Sequence, residues 1–391
     1  MKSKDALFDR IKWNIKKELT EILNETGLKY IFIADYEKIE LLKKSLSNIR
    51  DDVIFIDIQQ ILKEDIKKID KIINNVEPVE EHNESKIIIA GENYIDISLK
   101  LFKRYNMKAI YLSSKDIQVL LDYCYFVQYE EKIKKVYSLL EDDFSKKVYE
   151  SVITSRICHD LSFIDEIRDR NRFDNEYLDK SIIHLNKDEY FIDAGAYNGD
   201  TLGKFIEKTN GEFKRVVLFE PDKENFIAIN NQLNDNTVVL LKNNEISKIE
   251  LSQYNKNNIE LYNLGLYKEN ATFKFNSCLG QASHIVGNIA MEIHENECNK
   301  DIIKTIDLDS FLSEKDVTLI KMDIEGSEYD ALMGAKRMII ENMPKLAICI
   351  YHTECHLWDI PLLIKEFVPE YKLYIRHYGE NYWDTICYAV K

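Results

Sequence analysis

Tyr190-Phe191-Ile192-Asp193-Ala194-Gly195-Ala196-Tyr197-Asn198-Gly199-Asp200-Thr201 decides how this chain folds. Apolar residues run into an acid, a glycine-spaced turn follows, and the residues after Gly199 can start a helix. That order describes a strand, a loop and a helix, with the loop against a small anionic or zwitterionic ligand. Glycine serves where backbone bends sharply or touches a ligand. A loop that opens a helix also presents free N–H groups. Asp193, at the strand end, is placed to meet a cationic group.

Arg215-Val216-Val217-Leu218-Phe219-Glu220-Pro221-Asp222 reads as the next strand and ends in a second acid, Glu220. In doubly wound folds an acid there accepts hydrogen bonds from a ribose diol. A nicotinamide-dinucleotide oxidoreductase has the same outline, so the loop discriminates. Its fingerprint is G-x-G-x-x-G, whereas here three residues separate Gly195 from Gly199 and an Asp precedes them. Nothing in that pattern wraps a pyrophosphate. An acid before the first glycine suits S-adenosylmethionine, whose amino-acid end carries an ammonium.

Three further strand ends carry polar groups. Asn258–Tyr262 leads into Asn263 and Leu264, which can meet the edge and the face of an adenine, or simply form a turn. Val317–Met322 leads into Asp323-Ile324-Glu325-Gly326-Ser327-Glu328. Ligands in open α/β sheets sit at the carboxyl ends of strands, and three acids there exceed what capping a helix requires. Lys345–Tyr351 ends at His352, which suits a general base near neutral pH. The run His352-Thr353-Glu354-Cys355-His356 lacks a second ligand pair at zinc-finger spacing. Lys372–Arg376 and Thr385–Val390 read as a closing antiparallel hairpin.

The remaining chain sets the context. Its 391 residues point to an N-terminal α/β domain over 1–115, a helical connector over 116–180 and a larger α/β domain over 181–391. Strand-like runs at Tyr30–Ala34, Val53–Ile58, Lys86–Ala90 and Ala109–Leu112 alternate with helical patterns at Ile39–Leu46 and Ile95–Tyr105. A polar loop fits Asn74–Glu84. The first turn, Ala34-Asp35-Tyr36-Glu37, has no glycine, which fits a structural or dimer-forming domain better than a nucleotide-binding one. The patch Arg168-Asp169-Arg170-Asn171-Arg172 reads as a solvated face or as a hold for an anionic substrate. A net charge of −15 argues against a nucleic-acid partner. There is no apolar run long enough to span a membrane. Seven scattered cysteines without C-x-x-C, and no secretory signal at Met1–Asp5, fit a cytoplasmic protein.

Six stretches in order carry a resemblance: Tyr190–Thr201, Phe219–Asp222, Tyr262–Leu266, Ile306–Leu312, Ile320–Glu328 and Pro344–His352. Together they resemble the FkbM family of class I S-adenosylmethionine-dependent methyltransferases. The resemblance implies a Rossmann-like sheet of seven strands, mostly parallel with the last antiparallel, and methyl transfer to a hydroxyl of a sugar, glycan or polyketide-like metabolite. By motif, Asp193, Gly195, Tyr197, Gly199, Asp200, Thr201 and Glu220 hold the cofactor, with Asn263, Leu264 and Asp323 beside it. Asp323, Glu325 and His352 face the acceptor, with His352 as base or with Mg²⁺ at Asp323 and Glu325 lowering the hydroxyl pKa. Lys321 stands near the cofactor carboxylate or serves in packing. Methylation of an amine, and a catalytically silent binding or assembly protein, are the alternatives. The stretch Val238–Lys256 is longer than is usual and has no counterpart in the motifs.

Overall fold

Val, Ile and Phe dominate the runs that become strands, because branched and aromatic side chains pack well on a pleated, buried surface. The computed structural model describes residues 6–13, 15, 30–34, 40, 43–44, 53–57, 86–90, 108–112, 114–242, 245–254, 256–276, 285–286, 300–312 and 316–391. It divides into two units, Met1–Glu131 with Val152–Phe163, and Lys132–Ser151 with Ile164–Lys391.

In the first unit β1 (Tyr30–Ala34), β2 (Val53–Asp57), β3 (Lys86–Ala90) and β4 (Lys108–Leu112) form a parallel sheet in the order β2-β1-β3-β4. The helix Ala6–Trp13 buries Leu7, Phe8 and Ile11, three of its apolar positions. The glycine-free turn at Asp35–Glu37, the helical patterns at Ile39–Leu46 and Ile95–Tyr105 and the loop at Asn74–Glu84 lie wholly or largely outside the described residues.

The 116–180 stretch begins as expected, with helices at Ser114–Gln128, Glu130–Leu139 and Asp143–Cys158. Beyond a short turn at Ser162–Asp165 it is not helical throughout, since only Arg172–Asn175 makes another turn of helix. Asp169 accounts for the break. Its backbone N–H donates to His377 O at 2.8 Å. Its carboxylate takes the Asn171 N–H and the Asn175 amide instead of letting the helix continue.

The second unit is built on β5 (Tyr190–Ala194), β6 (Arg215–Phe219), β7 (Thr237–Lys242), β8 (Glu245–Glu250), β9 (Ile259–Tyr262), β10 (Gly265–Leu266), β11 (Ala271–Asn276), β12 (Ile285–Val286), β13 (Lys300–Ile306), β14 (Leu319–Met322), β15 (Lys345–Cys349), β16 (Lys372–His377) and β17 (Thr385–Val390). Seven of them make one sheet in the order β16-β17-β15-β14-β5-β6-β9. All pairs are parallel except those of β17, which runs against both neighbours. Every residue of β5 is buried, as a central strand covered on both faces requires. From β5 the chain moves to β6 and β9, then returns to lay β14 on the other side of β5. The switch point, where such sheets bind ligands, falls between the ends of β5 and β14.

The stretch Val238–Lys256 forms most of an antiparallel ribbon of β7 and β8. It docks on the helix Asp200–Lys208 through Gly203, where a Cβ would stand 1.9 Å from the Val239 carbonyl oxygen. No helix among the described residues is long and apolar enough to cross a membrane.

Candidate active site

The loop after β5 makes its turn with three left-handed residues, Gly195 (φ 77°), Tyr197 (φ 48°) and Gly199 (φ 84°). At Gly195 the absent side chain serves the protein itself. A Cβ there would lie 1.9 Å from the backbone oxygen of Asp323, so only glycine lets this loop and the β14 end lie side by side. At Gly199 a Cβ would meet Ile229 and Gln232 only at ordinary contact distance, 3.8 Å or more, and the residue provides the cap of the helix Asp200–Lys208. The expected free N–H groups are mostly engaged within the protein. Gly195 and Ala196 donate to Phe219 O, Tyr197 to Glu220, Gly199 to Ala196 O and Asp200 to Asn198. In the same turn of the fold Thr201 is buried and Asp200 half-buried at the helix start.

Asp193 does not face a ligand cation. It is fully buried and meets Lys321 across the β5–β14 pairing at 3.0 Å. The Lys321 ammonium also donates to the carbonyls of Gly195 (2.6 Å) and Ala194 (3.3 Å). Burial alone would lower the Lys321 pKa, but Asp193 and Asp323 more than reverse this and hold it charged. The role expected of Asp193 is thus corrected: its cation is a lysine of the chain, and the pair stiffens the turn.

Glu220 stands just after β6 and accepts two backbone N–H groups. One oxygen takes the Tyr197 N–H at 2.7 Å and the other the Asp222 N–H at 2.9 Å. A carboxylate has about four lone-pair positions, so acceptor capacity remains. Burial pushes its pKa up to about 7, against the pull of the two amides. Asn263 spends its amide on the carbonyls of Glu220 (2.9 Å) and Pro221 (3.0 Å), which makes it a brace for the turn after β6. Leu264 is half-buried next to it. These residues fit a ribose-bearing cofactor at Glu220, with Asp193 acting from behind the turn.

The acids after β14 converge with the end of β15. Asp323 accepts from the hydroxyls of Tyr177 (2.7 Å) and Tyr351 (3.0 Å). His352 faces Glu328 through Nδ1 at 2.9 Å, and through Nε2 it faces Glu325 at 3.2 Å and Asp323 at 3.6 Å. Glu328 is fully buried and also takes the Ile324 N–H at 2.9 Å. Glu325 reaches the ring from a left-handed backbone conformation, φ 55°. Burial would lower the His352 pKa, yet Glu328, Glu325 and Asp323 raise it well above its ordinary value. Burial would raise Glu328, yet His352 and His356 bring it far below the usual carboxylate range. Glu325 is raised, by burial first. The three carboxylates around the ring thus favour its charged form over the free base.

Sequence reasoning missed Tyr177 and Tyr351 as members of this cluster, counted Glu328 among the three acids without giving it a role of its own, and missed the layer behind them. Arg172 joins Asp384 at 2.9 Å and Glu176 at 3.3 Å, and Glu176 meets the buried Lys204 at 3.5 Å. The arginine-rich patch is therefore split. Arg172 reaches two buried carboxylates, while Arg168 pairs with the exposed Asp165 and Glu380.

A parallel-rich seven-stranded sheet closed by an antiparallel strand, with an acid after the second strand and its switch point between β5 and β14, defines a class I methyltransferase fold. Residues 193–382 match the model of the methyltransferase FkbM domain. This part of the chain belongs to the FkbM methyltransferase family, whose members use S-adenosylmethionine. The crystal structure of a methyltransferase FkbM from Methylobacillus flagellatus KT resembles the chain with a TM-score of 0.57 at 19% identity, over 99% of this chain and 96% of that one. An rRNA methylase from Streptococcus thermophilus reaches a TM-score of only 0.29 at 12% identity, over 53% of this chain and 90% of that one. No curated protein matches the chain.

Proposed function

We propose that this chain methylates a hydroxyl of a sugar, glycan or related metabolite. The observation that carries the reading is the placement of Glu220, the Gly195–Gly199 turn and the Asp323–Glu325–His352 cluster at the carboxyl ends of neighbouring strands β6, β5, β14 and β15. S-adenosylmethionine, when bound, supplies a methyl group already activated on a sulfonium. Glu220 offers its remaining acceptor positions to a ribose diol. The Asp193–Lys321 pair fixes the turn on which the cofactor rests. The cluster then orients the acceptor, and alignment of this kind is worth about 7–11 kcal/mol in favourable cases.

Glu325 takes the hydroxyl proton in this scheme. Its side chain is the most exposed of the three acids after β14, and His352 holds it in place from one side. A positioned base contributes about 10²–10⁴-fold. The sugar class comes from the family resemblance. An amine acceptor is a second reading, favoured by the excess of carboxylates around His352.

The test uses the full chain. Calorimetry with S-adenosylmethionine and with NAD, on wild type and Glu220→Ala, is followed by turnover with paired sugars and amino sugars, read as gain of a methyl by mass spectrometry. Binding of S-adenosylmethionine that Glu220→Ala weakens at least about 10-fold supports the scheme. Equal binding by the variant, or binding of NAD alone, overturns it. The paired acceptors separate oxygen from nitrogen methylation.

A further inference from the structure

His352 stands among carboxylates in a way that a simple hydrogen-bonded pair does not explain. Glu328 Oε1 lies 2.9 Å from Nδ1 and Glu325 Oε2 3.2 Å from Nε2. Neither ring nitrogen, though, makes a hydrogen bond of acceptable direction, and Glu328 Oε2 makes none either. The oxygens sit close to the nitrogens but off the N–H axes. The Nδ1–Glu328 pair has the relation of two ligands of one ion, while Nε2, across the ring, faces Glu325 and Asp323. Two donors each about 2.1 Å from an ion, at 90–110° to one another, are about 3.0–3.4 Å apart and do not point at each other.

We infer that Asp323, Glu328 and His352 form a binding site for one divalent first-row transition ion. One donor atom from each lies within 4.8 Å of the others, and they come from the β14 end, the following helix and the β15 end. Glu325 is not in that set, so the gathered residues differ from the Asp323–Glu325 pair expected from sequence. The donors choose the ion class. Imidazole with carboxylates suits Mn²⁺, Fe²⁺, Co²⁺ or Zn²⁺, whereas Mg²⁺ prefers oxygen ligands and keeps its water.

The surroundings complete such a site. The Tyr177 and Tyr351 hydroxyls hold Asp323, and the Ile324 N–H holds Glu328, as outer partners orient ligands in metal centres. Three protein ligands leave positions open for an acceptor hydroxyl. An ion there would make that hydroxyl more acidic, and Glu325, which stands beside the set and is not consumed by it, would take the proton. This inference rests on the methyl-transfer reading for its role, but not for the site itself.

Full-length protein dialysed against EDTA is titrated by calorimetry with Mn²⁺, Co²⁺, Zn²⁺ and Mg²⁺, and the Co²⁺ form is read by visible absorption. One ion per chain, Mg²⁺ at least about 10-fold weaker than Mn²⁺, and about 10–100-fold weaker Mn²⁺ binding in His352→Gln and Asp323→Asn support the site. Glu328→Gln is included if circular dichroism shows it folded, and the other two variants decide if it is not. No binding, or binding unchanged in the variants, overturns the site. Full turnover of the metal-free chain overturns the ion's role and leaves methyl transfer standing. Failure to bind S-adenosylmethionine overturns the methyl-transfer reading alone, because the ion titration is made without cofactor.

Discussion

The backbone of Gly195 lies so close to Asp323 that a single added carbon would stand 1.9 Å from the Asp323 carbonyl oxygen. The turn assigned to the cofactor and the first acid assigned to the acceptor thus touch through backbone, without a side chain between them. Gly195 also has φ 77°, so a side chain is strained there in two ways. Gly195→Ala is expected to destabilise by more than about 3 kcal/mol or to displace Asp323, and to abolish turnover. Gly199→Ala is the control. It shares a left-handed φ of 84°, but its nearest neighbour would be 3.8 Å away. Its cost is expected to be only about 1–2 kcal/mol. Urea denaturation of both variants measures the difference, and equal losses would refute the close-contact argument.

Lys321 and Asp193 test a different link, the burial of a charge pair under that turn. Lys321→Met leaves a carboxylate in the core with no counter-charge, and the expected loss is about 3–5 kcal/mol. Asp193→Asn alone leaves the ammonium unpaired. The double variant removes both charges and is expected to lose clearly less than the sum of the singles. Strict additivity in a double-mutant cycle by chemical denaturation would show that the two do not interact.

Much of this architecture was legible, and the reason is visible in particular residues. β1, β3 and β17 have the expected bounds because each is a short run of branched or aromatic residues between polar stops. β15 ends at Cys349, two residues early, since Ile350 donates to Thr385 O beyond the ladder and Tyr351 turns its hydroxyl to Asp323. The cluster was only half legible. Asp323 and Glu325 announce themselves as a local group of acids, but Tyr177 lies 146 residues upstream of its partner Asp323 and no local pattern marks it. Gly195 was legible as a glycine that a sharp bend requires, whereas the Asp323 carbonyl that also excludes a side chain there follows another strand and leaves no local mark. Asp309, within a motif that sequence left without a role, accepts the N–H groups of Arg337 and Met338 and so caps a later helix.

Asp142 gives the chain a dependence on acid. Its carboxylate accepts from Arg376 at 2.7 Å and from the Ser145 N–H at 2.5 Å, at the start of the helix Asp143–Cys158. Burial opposes ionisation, but Arg376 and Ser145 prevail and hold its pKa below the ordinary value. A depressed folded-state pKa contributes stability that is present above the ordinary value of about 3.9 and lost as pH falls through the folded value. Asp142→Asn keeps the cap but loses the charge opposite Arg376, so it is expected to cost up to about 1 kcal/mol at neutral pH, and to flatten stability against pH below about 4. Parallel acid limbs for wild type and variant in denaturation from neutral pH to about 3 would count against it.

Tyr177 and Tyr351 approach Asp323 from two directions and occupy one oxygen each, at 2.7 and 3.0 Å. Two donors on separate oxygens fix the carboxylate plane, and that plane decides which lone pairs face His352. Both hydroxyls are directed at Asp323, on the side assigned to the acceptor. Removing both hydroxyls, in Tyr177→Phe with Tyr351→Phe, is expected to lower kcat about 10–100-fold, with S-adenosylmethionine affinity unchanged. Each lost hydroxyl costs about 1 kcal/mol of stability, too little to unfold a domain of ordinary stability. A purely structural role would lower stability and leave kcat per folded molecule intact. Steady-state kinetics corrected for the folded fraction, with cofactor affinity by calorimetry, therefore separates positioning from packing: an unchanged kcat assigns the two tyrosines to the core alone.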